Sequence, residues 1–73
     1  MAQLGPGRAR GVVSSFDEHA GHGLVRRDDG VELYFHCTAI TDGTRTIAAG
    51  TEVLFEVQAG APGTWEASGL TSV

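Results

Sequence analysis

Between Gly21 and Cys37 the chain alternates in character on either side of Asp28-Asp29-Gly30. Successive side chains of a strand point to opposite faces. Val25, Leu33 and Phe35 therefore share one face, and His22, Leu24, Tyr34 and His36 share the other. Asp-Asp-Gly is a hairpin turn signal, because glycine accepts the positive φ that tight turns require. The pattern predicts a β-hairpin with a core face and an outward face of flat or apolar groups, which a strand facing water does not need. The same alternation runs from Thr51 to Gln58, with Val53, Phe55 and Val57 on one side and Glu52, Leu54, Glu56 and Gln58 on the other. A first strand is predicted from about Arg8 to Phe16 with Val13 inward, and a last one from Thr64 to about Thr71 carrying Trp65, Ala67 and Leu70.

The segments between these strands read as turns and crossings. Residues 1–7 form a flexible lead, since Gly5-Pro6-Gly7 discourages regular structure, and residues 8–73 form a single domain. Asp17 to Gly21 is a turn. Thr38-Ala39-Ile40 breaks the alternation as a short helical turn that drops Ile40 into the core. Thr41 to Gly50 is a polar crossing loop pinned by Ile47, and Gly60-Ala61-Pro62-Gly63 is the last turn. Five short strands in so small a chain cannot hide their edges in an open sheet, and closure into a small barrel removes the edges. The fold class expected is all-β, a five-stranded antiparallel barrel.

Composition narrows the function. At 73 residues and 41% hydrophobic the chain builds one thin core. The single cysteine, Cys37, excludes an internal disulfide framework and, with no apolar leader or span, points to the cytoplasm. No phosphate-binding loop or nucleophile motif is present, so neither catalysis nor a cofactor is expected. Cys37 lies beside His36, but adjacent strand residues face opposite ways, and no metal site is expected. The net charge of -4, with five arginines and no lysine, works against nucleic-acid binding. Arg8, Arg10, Arg26 and Arg27 nevertheless cluster in the first 27 residues.

The chain resembles the bacterial cold-shock proteins, single domains with an OB-type barrel. The resemblance runs from about Gly11 to Val73. Gly11-Val12-Val13-Ser14-Ser15-Phe16-Asp17 looks like the family's first strand. Ala20-Gly21-His22-Gly23-Leu24-Val25 and Leu33-Tyr34-Phe35-His36-Cys37 look like its two ribonucleoprotein motifs. Thr38-Ala39-Ile40, the Gly50-x-x-Val53-x-Phe55 stretch and the closing Leu70-Thr71-Ser72-Val73 also follow the pattern, in order and at the right spacing. The resemblance implies binding of single-stranded RNA or DNA by base stacking, as a chaperone or regulator without turnover. Carried over by position, the site is Phe16, His22, Leu24, Tyr34 and His36, with Arg10 and Arg26 for phosphate and Trp65 as an accessory ring.

The departures from the family pattern set the expected strength. Ser14 and Ser15 stand for its lysine and tryptophan, His22 and Leu24 for two phenylalanines, Cys37 for a third, and Thr44 for an aromatic in the crossing loop. A base–aromatic stack is worth about 1–3 kcal/mol, and ~1.4 kcal/mol is tenfold in affinity. The resemblance therefore implies binding weaker by two or more orders of magnitude than a full aromatic set gives, falling with salt and tightening as histidines charge below about pH 6.5. The competing expectation is a protein-interaction module, meeting a partner or its own copy through Leu24, Tyr34, Leu54 or Trp65. A monomer fits the first function and a stable homodimer the second.

Overall fold

A computed structural model describes residues 7–60 and 64–73. Its strands are β1 (Gly7–Asp17), β2 (His22–Arg27), β3 (Glu32–His36), β4 (Glu52–Ala59) and β5 (Trp65–Ser72), with one 3₁₀ turn at Cys37–Ala39. They close into a barrel in the order β1-β2-β3-β5-β4. The flexible lead expected before β1 falls, apart from Gly7, outside the described residues, as does Ala61-Pro62-Gly63 of the last turn; Gly7 itself opens β1.

One expectation about the barrel needs correction. β1·β2, β1·β4, β2·β3 and β4·β5 are antiparallel, but β3 and β5 run parallel. Direction alternates from strand to strand around an antiparallel ring, so an odd number of strands leaves one pair pointing the same way. That seam is sparsely laced. It consists of Tyr34 opposite Glu66 and an isolated bridge from Ile40 to Leu70.

In β1 to β4 the core is the set that the alternation selects, and in β5 a register shift opposite Leu54–Glu56 turns both Ala67 and Leu70 inward. Val13, Val25, Leu33, Phe35, Ile40, Val53, Phe55, Val57, Ala67 and Leu70 are buried, and Ile47 and Trp65 pack partly against them. Among the described residues no polar or charged residue is buried. The 3₁₀ turn is what brings Ile40 inward, with Ile40 N–H donating to Cys37 C=O at 3.2 Å.

β1 serves two partners. It pairs with β4 through Gly7–Val12 and with β2 through Gly11–Asp17. Close approach along β1–β2 requires glycine at Gly11 and Gly23. A Cβ on Gly23 would meet the Ser15 carbonyl oxygen and stand 3.0 Å from Phe16 Cα. Between Val13 and Ser15 the register slips by one residue, a β-bulge. Ser14 is the extra residue, and its hydroxyl donates to Leu24 C=O at 3.2 Å. The end of the crossing loop completes Val13's backbone bonds, with Gly50 N–H donating to Val13 C=O at 2.7 Å and Val13 N–H to Thr51 C=O at 2.9 Å.

The β2–β3 turn is closed by Gly30 at φ +93° and by a two-pronged contact. Arg27 Nε donates to Asp29 Oδ1 at 3.0 Å and Nη2 to Oδ2 at 2.7 Å. The Arg27 hydrogen bonds, with help from Val31 N–H, hold the Asp29 carboxyl below its ordinary range. In the crossing loop the Thr44 N–H and hydroxyl do the same for Asp42.

Two outcomes follow. Gly23→Ala forces backbone apart in β1–β2 and lowers folding stability by about 1–3 kcal/mol, the usual cost of overpacking, as read from urea unfolding. The second concerns acid. A carboxyl whose folded pKa is depressed stabilises above its unfolded value of about 3.9 and loses that contribution as pH falls through its lower folded value. The urea midpoint therefore drops between about pH 5 and about pH 2, and Asp29→Asn makes that drop smaller while lowering the plateau near neutrality.

Candidate nucleic-acid interface

The strand registers lay the outward side chains out as a grid. One row crosses β1, β2 and β3 as Asp17, His22 and His36. The next runs Ser15, Leu24, Tyr34 and, across the parallel seam, Glu66. A third runs Val12, Arg26 and Glu32. Directly opposed residues in an antiparallel pair have Cβ atoms about 4.5–5.5 Å apart, and diagonal ones remain within reach of rings. Accordingly the His22 and Tyr34 rings meet at 5.5 Å between centroids, tilted by 38°. Leu24 and Tyr34 are 37% and 38% exposed, a surface that water-facing strands do not need.

Of the residues singled out by sequence, the fold brings His22, Leu24, Tyr34 and His36 together on this face. Phe16 is placed differently. Strict alternation from Val13 would turn it outward, but the bulge at Ser14 turns it toward the barrel interior. There it stacks on Phe35, with centroids 5.8 Å apart and planes within 8°. Arg26 lies one row along and pairs with Glu32 at 3.8 Å; Arg10 lies farther up β1 and pairs with Glu52 at 2.9 Å. With Arg27 held by Asp29, Arg10, Arg26 and Arg27 each meet a carboxylate, while Arg8 makes no ion pair among the described residues. Trp65 opens β5 opposite Ala59, half-buried and next to Glu66.

Side-chain size creates relief on the face. With only Ser15 beside Leu24 and no side chain on Gly23, a recess of ≈ 370 Å³ opens, lined by Ser15, Phe16, Asp17, His22, Gly23, Leu24 and Tyr34. A second recess of ≈ 310 Å³ lies beyond His36 along the β3–β5 seam, with Thr38, Gln58, Glu66 and Ser68 in its wall. Sequence reasoning missed Asp17, Ser15 and Glu66 as members of this face. For Asp17 and Ser15 the missing signal was the bulge, and for Glu66 the register across a parallel seam.

The two histidines are not equivalent. His36 caps the 3₁₀ turn, and its Nδ1 accepts from Thr38 N–H at 3.3 Å and lies 2.9 Å from Thr38 Oγ1. An accepting Nδ1 puts the proton of the neutral ring on Nε2, directed away from the cap. His22 pairs its ring with that of Tyr34. Cys37 begins the 3₁₀ turn, so strand alternation does not govern it, and its Sγ lies 3.8 Å from His36 Nδ1. Among the described residues no three His, Cys, Asp or Glu side chains are gathered to hold a metal. No helix among them is long and apolar enough to cross a membrane.

Comparison with known proteins agrees with the geometry. A family model, the 'Cold-shock' DNA-binding domain, matches residues 9–72. The cold shock-like protein of Thermotoga maritima is 38% identical over 55 residues, covering 74% of this chain and 83% of the relative. Cold shock protein CspC of Bacillus subtilis is 34% identical over 55 residues, again 74% and 83%. Glycine-rich protein 2 of Nicotiana sylvestris is 38% identical over 73 residues, 97% of this chain but 34% of the relative. This chain thus spans about a third of the plant protein's length and most of the bacterial ones.

Proposed function

This chain belongs to the cold-shock DNA-binding domain family, a nucleic-acid-binding family rather than an enzyme family, and we propose that it holds single-stranded RNA or DNA on the outward face of β2 and β3. The observation that supports this most is the open pairing of Tyr34 with His22, two flat rings on neighbouring strands with Leu24 beside them and no side chain over them. Flat rings accept bases by stacking, and stacking tolerates any sequence. His36 offers its Nε2–H alongside, and Trp65 flanks the far edge of the face.

Binding on this surface is passive. It involves no turnover, cofactor or metal, and suits an RNA chaperone or a regulator of transcription or translation acting as a monomer in the cytoplasm. The affinity is modest, for two physical reasons. Few aromatic rings are present, and the nearest guanidinium, Arg26, shares its charge with Glu32. The neighbours of His22 across the strands are Asp17 and His36. The protein-interaction alternative has less support, because exposed Leu54 lies on the β1–β4 side beside Arg10, apart from Leu24 and Tyr34.

The test is fluorescence anisotropy of a labelled mixed-sequence hexanucleotide in low salt, with Tyr34→Ala as the control variant. Tyr34→Ala weakens binding by about tenfold, within the range of one lost base stack, and leaves the thermal unfolding profile near that of the parent. Unchanged affinity in this variant, or no binding to the parent at ~50 µM protein, overturns the proposal. His22→Ala also weakens binding, by removing one of the two rings, whereas unchanged affinity in His22→Ala removes His22 from the site.

A further inference from the structure

The recess against the ring pair is walled by Asp17, the second recess, beyond His36, is walled by Glu66, and no lysine or arginine lines either one. From this juxtaposition we propose that the face discriminates by base identity, taking bases that carry an exocyclic amino group, cytosine above all among the pyrimidines, and rejecting uracil and thymine. The inference rests on the nucleic-acid function proposed above and specifies the ligand of that same surface.

The Asp17 carboxylate is held in place while keeping acceptor capacity. Asp17 Oδ1 accepts from the turn N–H groups of His19 and Ala20, at 3.0 Å each. Its Oδ2 has no hydrogen-bond partner among the described residues. Asp17 also stands across β1–β2 from His22, so a base lying on the His22–Tyr34 rings presents its edge toward this carboxylate. On the other side Glu66 is in register with Tyr34 across the seam and with Gln58 across β4–β5. It is half-buried, and its carboxyl group lies over Gly60, where a Cβ would collide with it.

The chemistry of the base edges then sorts the ligands. An ionised carboxylate only accepts hydrogen bonds. Cytosine offers it the N4 amino group, a pairing that acidic side chains make when they read bases. Uracil has the same ring size but carries O4 in that place, which sets lone pairs against lone pairs. Guanine and adenine also bring amino groups. Uracil's N3–H is flanked by two carbonyl oxygens, so an approach to it meets repulsion on either side. The sugar and phosphates are common to all the ligands and cannot separate them.

Anisotropy titrations of labelled r(C)6 and r(U)6 at about pH 8, where neutral histidine is the dominant form, isolate this difference. The parent protein binds r(C)6 tighter by about fivefold or more, the lower end of what one base-edge contact discriminates. In Asp17→Asn the Oδ1 acceptor that holds the turn is kept while the side chain gains a donor, and Glu66→Gln does likewise. The double variant therefore loses the preference or inverts it toward r(U)6. An oligomer of N4,N4-dimethylcytosine, tested on the unaltered protein, binds no better than r(U)6, which keeps the test independent of how the variants fold. Equal or tighter binding of r(U)6, or a preference that persists in the double variant, overturns the inference and leaves the nucleic-acid function standing. Binding of neither oligomer overturns that function itself.

Discussion

One surplus residue in β1 decides which side of the sheet each later residue serves. Up to Val13 the odd-numbered positions of the strand face inward; beyond Ser14 the phase is reversed, so Phe16 turns in and Ser15 and Asp17 turn out. The bulge is held from two directions, by the Ser14 hydroxyl on Leu24 C=O and by the crossing loop on Val13. Phe16 is thereby half-buried, stacked on Phe35 and in the wall of the first recess, and a small hydroxyl and a carboxylate are presented on the outward face. The relief of the candidate face, with its first recess, descends from that single displacement.

The guanidinium groups are arranged around the ring pair rather than on it. Arg10, Arg26 and Arg27 each meet a carboxylate, and exposed ion pairs of this kind contribute little to stability. Their effect here is to shorten the reach of the guanidinium groups. What remains at the centre is a tilted ring pair and an aliphatic side chain. The outward face thus offers rings and polar groups at their edge more than free cations, in contrast to surfaces that grip the phosphate chain.

Much of this was legible in the sequence, for a physical reason. A half-buried strand has a period of two, and the core residues of β1 to β4 followed from it, with Ile40 from the 3₁₀ turn; in β5 Ala67 and Leu70 lie three apart, and the register shift opposite Leu54–Glu56 turns both inward. The hairpin turn was announced by Asp28-Asp29-Gly30, and the order of motifs in the chain carried the family. The parallel seam was not read, although the parity of five strands demands it once the ring is closed. Nor was the inward turn of Phe16, because a bulge leaves no mark in a pattern of alternation beyond a stretch that fits either phase, and Val13-Ser14-Ser15-Phe16 does. Ion pairing of Arg10 with Glu52 joins residues far apart in sequence, and no local signal carries it.

The parallel seam between β3 and β5 gives the barrel an uneven wall. Four junctions are laced along most of their length, while this one is held at Tyr34–Glu66 and Ile40–Leu70. Local opening starts where backbone pairing is sparse, so thermal breathing of the cylinder is concentrated along this line. His36 and Glu66 stand on its two banks, and the lips of the second recess therefore belong to different hydrogen-bonded ladders. A ligand bridging them acts as a stitch across the slit, tightening the whole ring from outside without touching the hydrophobic centre.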